Sequence, residues 1–375
     1  MSRIAFLVDR PTQFDAPFFR FVAKTSEGSL RVLFSESRAG EAVADPELGR
    51  TVDWGFSLFE GYEHSIRSAD TPVGEWLDRE LGPRPPDLLV INGYTRPDYR
   101  HGLSWARRRT VPAALRIDST TVDRSPLRRA IKRLIFATYL KPRFRTFLAT
   151  SSRTERYLAA FGVPANRIGR FPYAIDEARF RTLAEVERPR RAEARAALGI
   201  PADVRVVLAV SKLGEREAPW DLVRLPGTPE TDQLWIVVAG DGPDRPDFEA
   251  AAQARFGDRY RGLGYVPYPR LPSLYTMSDV FLHAPREERW GVSVAEALAC
   301  GLPVVAADTV GAGHDLIERG MNGMIFPFGN PAALASALDG ALKIEPATVQ
   351  AESRERLAAW GYEASWRHLL EAARS

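Results

Sequence analysis

The chain has 375 residues, 45% hydrophobic and 26% charged, which is long for one domain and too balanced for a disordered or collagen-like chain. With a formal net charge of +3 and one cysteine, Cys300, it has no internal disulfide framework, and no Cys/His cluster has the spacing of a metal site. No apolar run reaches the roughly 18 residues of a membrane-spanning helix, and the run at 4–8 is too short for a signal peptide, so a cytoplasmic α/β protein without metal is expected.

Apolar β-rich runs alternate with helical patterns from the N-terminus onward. Strands are predicted at 3–8, 30–35, 87–92, 112–117 and 146–150, with helices between them such as 15–24 and 126–140. Such alternation argues for parallel strands joined by crossover helices. A charged, Ala-rich stretch follows at 181–203, read as a connector holding a short helix. A second alternating set is predicted at 204–210, 234–240, 260–263, 280–284, 303–306 and 324–326. Asn330-Pro331 then opens a helix, with Asn as cap and Pro in the first turn. The tail 351–375 reads as helix broken near Gly361. The division is an N-terminal domain at 1–180, the connector at 181–203, a C-terminal domain at 204–350 and the tail. Both domains are read as doubly wound, facing a cleft, with ligand at the carboxyl ends of the strands.

Strand one runs into Asp9-Arg-Pro-Thr-Gln-Phe-Asp-Ala-Pro17, which lacks the glycines of a dinucleotide fingerprint. The chain also lacks a Walker lysine loop and a Gly-x-Ser-x-Gly elbow, which argues against a nicotinamide enzyme, an NTPase and a serine hydrolase. Residues 101–170 hold sixteen Lys/Arg against Asp118, Asp123 and Glu155, a local +13 on a chain of +3. Such asymmetry suits an anionic surface. Within it, 126–140 combines an apolar stripe with four cations. One reading is a crossover helix with its apolar side on the sheet; the other is a helix docked on an anionic membrane at the inner face of the cell membrane. Nucleic acid is not expected, since no recognition module accompanies the charge.

The densest stretch is 280–306, which reads strand, loop, helix, tight turn, strand. Glu288 lies in the loop and Glu296 in the helix, with seven residues between them. Gly291 lets the backbone approach a ligand, and the amides after it open a helix, where partial positive charge meets phosphate or sugar oxygens. Two carboxylates here suit two vicinal diols. Ser293-Val-Ala-Glu296 also fits a capping box, in which Glu296 bonds only the Ser293 backbone.

These residues resemble the signature of glycosyltransferase family 4, retaining enzymes of the GT-B fold. There, two glutamates with seven residues between them flank an aromatic-Gly pair, here Trp290-Gly291. The run Glu296-Ala-Leu-Ala-Cys-Gly-Leu-Pro-Val-Val-Ala306 matches the continuation. Val210-Ser-Lys-Leu213, Ala239-Gly-Asp-Gly-Pro243, Gly264-Tyr-Val266 and Leu274-Tyr-Thr-Met-Ser-Asp279 keep the family's order. The resemblance implies that Glu296 holds a ribose diol, Glu288 the donor-sugar hydroxyls, and Trp290, Gly291 and Val292 the loop around sugar and phosphate. It implies Lys212 as the cation facing the diphosphate and the Val266 main chain as the nucleobase reader. It also makes 1–180 the acceptor side, 204–350 the nucleotide-sugar side, and the tail a helix crossing back onto the N-terminal domain.

Glu217 stands where the family pairs its first cation with a lysine. A carboxylate facing a diphosphate repels it. Either Arg216 takes over the role, or the chain is a weak or inactive relative; rescue by Arg216 is the preferred reading. In the N-terminal half, Asp118 ends a strand where relatives face the donor sugar, and it equally fits a helix cap. Thr12, Gln13, Asp15 and Tyr94 are weaker acceptor-side candidates. The expectation is a metal-independent hexosyltransferase of glycan or polysaccharide biosynthesis. It would move a sugar from a UDP- or GDP-linked donor to a hydroxyl of a glycan or lipid-linked glycan, with no further cofactor. The alternatives are a GT-B epimerase or hydrolase of nucleotide sugars, or a binding partner in glycan assembly without turnover.

Overall fold

The computed structural model describes residues 2–39, 44–45, 50–52, 55–122 and 124–374. Their strands are β1 (Ile4–Val8), β2 (Leu30–Phe34), β3 (Ala44–Asp45), β4 (Arg50–Thr51), β5 (His64–Ile66), β6 (Leu88–Ile91), β7 (Ala113–Ile117), β8 (Thr146–Ala149) and β9 (Ile168–Arg170). They continue as β10 (Arg205–Val210), β11 (Leu234–Ala239), β12 (Tyr260–Gly264), β13 (Val280–His283), β14 (Val304–Ala307) and β15 (Gly323–Phe326). The chain divides into two compact units. The first is Met1–Ala42, Ser57–Ile175 and Trp360–Ser375; the second is Val43–Phe56 and Asp176–Ala359.

The first unit holds a parallel sheet in the order β5-β2-β1-β6-β7-β8-β9. Every residue of β1, β6 and β8 is buried. Apart from Thr146 these strands are apolar, because helices cover both faces and leave no wet side to call for alternation. Trp76, Trp105, Phe136 and Phe147 fill one face; Phe6, Phe18, Phe19 and Phe171 fill the other. The second unit repeats the design in the order β12-β11-β10-β13-β14-β15, also parallel. The architecture is the GT-B pair of Rossmann-like sheets.

The helical segments depart from the sequence reading in three places. The stretch 181–203 is largely helical, in Glu177–Glu187 and Arg191–Ala197, and belongs to the second unit. The tail breaks near Gly361 as expected, but its first helix, Pro346–Ala359, starts earlier and belongs to the second unit; Tyr362–Arg374 belongs to the first, where it packs on β9 and on the Asp15–Thr25 helix. The third departure is the basic segment. Pro126–Ile135 is α-helical, capped by Ser125, and continues as a π-helical turn over Phe136–Leu140. Its apolar stripe does not lie on the sheet, because no residue of Pro126–Ile135 is buried. Phe136 and Leu140, in the following turn, supply the packing instead.

Candidate functional site

In the second unit the carboxyl ends of β10, β11 and β12 enclose a pocket of about 190 Å³. Ser211 and Lys212 line it after β10, Gly240 and Asp241 after β11, and Tyr265, Val266 and Tyr268 after β12. Lys212 and Val266 therefore line one pocket, which the sequence alone does not fix. Backbone bonds join the loops: Leu213 N–H donates to the Asp241 carbonyl at 3.0 Å, and Gly240 N–H to the Gly264 carbonyl at 2.8 Å. Gly240 must be glycine here, since a Cβ would stand 1.9 Å from the Ser211 carbonyl oxygen.

The loop after β13 carries Glu288. It is tied on one side to the Lys212 loop, where Arg286 N–H donates to the Arg216 carbonyl at 2.7 Å. On the other side Gly311 N–H donates to the Glu288 carbonyl at 3.2 Å and Ala312 N–H to the Trp290 carbonyl at 2.7 Å. The Glu288 carboxylate accepts from Trp290 N–H at 3.4 Å and lies 3.8 Å from the buried His283 Nε2. Burial alone would push this carboxyl up. The His283 imidazole, the Trp290 amide and the Arg216 guanidinium outweigh burial and hold it below the usual carboxylate range. Arg216 itself pairs with Glu217.

Gly291 precedes the Val292–Ala299 helix with φ +99, a left-handed conformation that side chains resist, and its bare Cα leaves room beside the His283 ring. The helix opens at Val292, so Ser293 is not its cap and the capping box does not form. Glu296 is buried and turns inward instead. It accepts from Tyr275 Oη at 2.8 Å and from Tyr268, the same tyrosine that lines the pocket. Burial raises its carboxyl to about 7, against the lowering effect of the two tyrosines and His283. Two carboxyls with seven residues between them thus differ in acidity, Glu288 held low and Glu296 titrating near neutrality.

Sequence reasoning missed His283, Tyr268 and Tyr275 as partners of these carboxyls. Each reads as an ordinary strand or helix residue, and only the packing of β13 and the 268–277 segment brings them to Glu288 and Glu296. Asp118 belongs to the first unit, just after β7. There Tyr173 Oη donates to it at 3.4 Å, and the neighbouring Arg116 is buried in an ion pair with Asp15 at 2.6 Å. Arg116 also lies between the rings of Phe171 and Tyr173, at 4.7 and 4.6 Å. Thr12 accepts from Asp15 N–H at 3.0 Å, so its hydroxyl shapes the start of the 15–25 helix. Tyr94 is half-buried against the hydrophobic core. Among the described residues no group of three or more His, Cys, Asp or Glu is placed to hold a metal ion.

Residues 190–364 match the family described as glycosyl transferases group 1. A D-inositol 3-phosphate glycosyltransferase of Thermomonospora curvata is 29% identical over 222 residues, 56% of this chain and 50% of that protein. A 2-deoxystreptamine glucosyltransferase of Streptomyces kanamyceticus is 32% identical over 240 residues, 63% of this chain and 60% of that protein. The chain spans about half the length of the curated relatives it matches. Among solved structures, Anabaena HepE in complex with UDP superposes with a TM-score of 0.71 at 19% identity, over 100% of both chains. That likeness shows the fold. The Glu288/Glu296 signature lies inside residues 190–364, the region that matches the glycosyl transferases group 1 family, and the chain has the GT-B fold.

Proposed function

We propose that the chain is a glycosyltransferase that moves a sugar from a UDP- or GDP-linked donor to a hydroxyl of a glycan or lipid-linked glycan, with retention at the anomeric carbon. The observation that carries this reading is the pair of carboxyls with oppositely shifted acidity, Glu296 bonded to the pocket-lining Tyr268 and Glu288 on a loop tied to the one that follows Lys212. In this reading the nucleobase lies against Val266 and Tyr268, the ribose diol meets Glu296, and Glu288 accepts hydrogen bonds from donor-sugar hydroxyls. Trp290, Gly291 and Val292 wrap the sugar and phosphate. The bond from the anomeric carbon to the diphosphate oxygen breaks with its electron pair leaving on the nucleoside diphosphate. Lys212, Arg216 and the first amides of the Val292–Ala299 helix stabilise that charge, and such fixed donors are often worth about 10²–10³ each in rate. Since this chain supplies those charges itself, turnover is expected without a divalent ion. Asp118 is proposed to face the donor sugar from the acceptor-side unit. The relatives named for D-inositol 3-phosphate and 2-deoxystreptamine support a hydroxyl-bearing acceptor. A lipid-linked acceptor would place the reaction at the cytoplasmic membrane surface.

The test is a thermal-shift panel of UDP, GDP, ADP and their sugars in EDTA, followed by transfer assays. One nucleotide is expected to raise the unfolding midpoint. Glu296→Gln should lose that shift, while Glu288→Gln should keep most of it and lose transfer. A chain that no nucleotide stabilises would overturn the reading, and transfer that needs added manganese would overturn its metal independence.

A further inference from the structure

The Pro126–Ile135 helix is mounted the opposite way from an ordinary amphipathic crossover. Leu127, Ile131 and Leu134 recur at one-turn spacing, so they form one stripe. They are 70%, 51% and 62% exposed. The side turned to the protein is the polar one. The Lys132 ammonium sits over the rings of Tyr157 and Phe161, at 5.3 and 5.8 Å, and Arg129 is half-buried. Phe136 fixes this orientation by stacking on Phe161 with ring centroids 4.9 Å apart. Arg128 and Arg133 are exposed and flank the stripe on either side, with Arg124 exposed just before the helix.

We propose that this helix docks the first unit on an anionic phospholipid bilayer, with Leu127, Ile131 and Leu134 entering the interface and Arg128 and Arg133 meeting lipid phosphates. Charge complementarity selects that occupant. The surrounding window carries +13, and two of its three acids are engaged, Glu155 by Arg170 at 2.7 Å and Asp118 by Tyr173; Asp123 lies outside the described residues. The size of the stripe selects it too. Three aliphatics spread over about 10 Å of helix supply little of the roughly 800 Å² per partner that a stable protein interface buries. An interfacial helix needs only a narrow apolar stripe with a cationic rim, entering about 5–10 Å. Among the described residues the other exposed large hydrophobics, Val186, Met321 and Phe328, all lie in the second unit. Apolar entry makes docking only partly sensitive to salt, because screening removes the phosphate contacts and leaves the aliphatic part.

The experiment is vesicle co-sedimentation of the full chain without donor or acceptor, so its outcome stands apart from glycosyl transfer. The probes are vesicles of phosphatidylcholine alone and of phosphatidylcholine with phosphatidylglycerol, at low and high sodium chloride. The chain should partition onto the mixed vesicles and retain a reduced share at high salt. The triple variant Leu127→Gln/Ile131→Gln/Leu134→Gln should lose at least about tenfold in partition with an unchanged unfolding midpoint. Arg128→Gln/Arg133→Gln should lose the preference for anionic lipid. In Leu134→Trp, emission should shift to the blue on the mixed vesicles. Equal partition of wild type and triple variant, or equal partition onto neutral and anionic vesicles, would overturn the proposal. So would a concentration-dependent dimer that the triple variant abolishes, which would make the stripe a contact between copies.

Discussion

Glu296 illustrates how a binding residue costs stability. Its carboxyl is buried, and its folded value of about 7 lies above the ordinary 4.5. The folded chain therefore holds this proton more tightly than the unfolded chain does. Stability is full below about pH 4.5 and falls as pH rises to about 7. The loss is on the order of 3 kcal/mol, since one unit is about 1.4 kcal/mol. Glu296→Gln keeps an oxygen for Tyr275 and never ionises. It should therefore unfold at a higher temperature than wild type at pH 8 and show no advantage near pH 4. A midpoint difference that does not change with pH would remove this account. Arg216 offers the second residue-scale test. It pairs with Glu217, the carboxylate that stands in place of a lysine. Arg216→Ala should weaken nucleoside diphosphate binding by about tenfold, the usual scale of a bond to a charged group, and leave nucleoside binding unchanged. Glu217→Lys should leave diphosphate binding unchanged or tighten it. Calorimetric titration separates the two; loss of binding in Glu217→Lys would make Glu217 a positioner of Arg216 rather than a repulsive substitute.

Loops dominate at the scale of elements. The Glu288 loop holds its shape because its carbonyls accept from the backbone that starts the Gly311–Leu316 helix. That approach requires glycine, since a Cβ at Gly311 would stand 2.0 Å from the Arg289 carbonyl oxygen. Gly311→Ala should cost about 1–3 kcal/mol by overpacking and weaken donor binding by moving Glu288. Gly214→Ala is the control, because its Cβ would meet Pro243 at an ordinary 3.8 Å, and its stability should stay within about 0.5 kcal/mol. Denaturant titration of both variants reads the difference. The Pro126–Ile135 helix teaches the complementary lesson. Its amphipathic pattern was legible in the sequence, but periodicity fixes only that two faces differ. It does not say which face meets the sheet.

For the whole molecule, the last residues of the chain complete the first unit. Tyr362 packs edge-on to Phe18 with ring centroids 5.8 Å apart, and Trp366 Nε1–H donates to Ser26 Oγ at 3.2 Å. Trp366 is buried in the same core as Phe6 and Phe19. Trp366→Ala should cost about 3–5 kcal/mol, seen as a lower denaturation midpoint. An unchanged midpoint would mean that the tail adds nothing to that core.

The sequence by itself determined the alternation of strand and helix, the two parallel sheets and the family signature around Glu288 and Glu296. Each of these is carried by local spacing: buried parallel strands must be apolar throughout, and a strand–loop–helix turn needs glycine at fixed offsets. Tertiary structure alone decided the rest. Glu296 fits a capping box by spacing, and only the approach of Tyr268 and Tyr275 from a distant segment turns it inward and raises its carboxyl. His283 reads as a strand end until the loop folds Glu288 back toward it. The family resemblance implies that the tail crosses back onto the N-terminal domain, but its partner there, Phe18, lies more than three hundred residues earlier and only packing names it. The outward stripe of Leu127, Ile131 and Leu134 follows from Phe136 and Phe161 stacking beneath the next turn. Such contacts join residues far apart in the chain, and a local pattern carries no record of its partner.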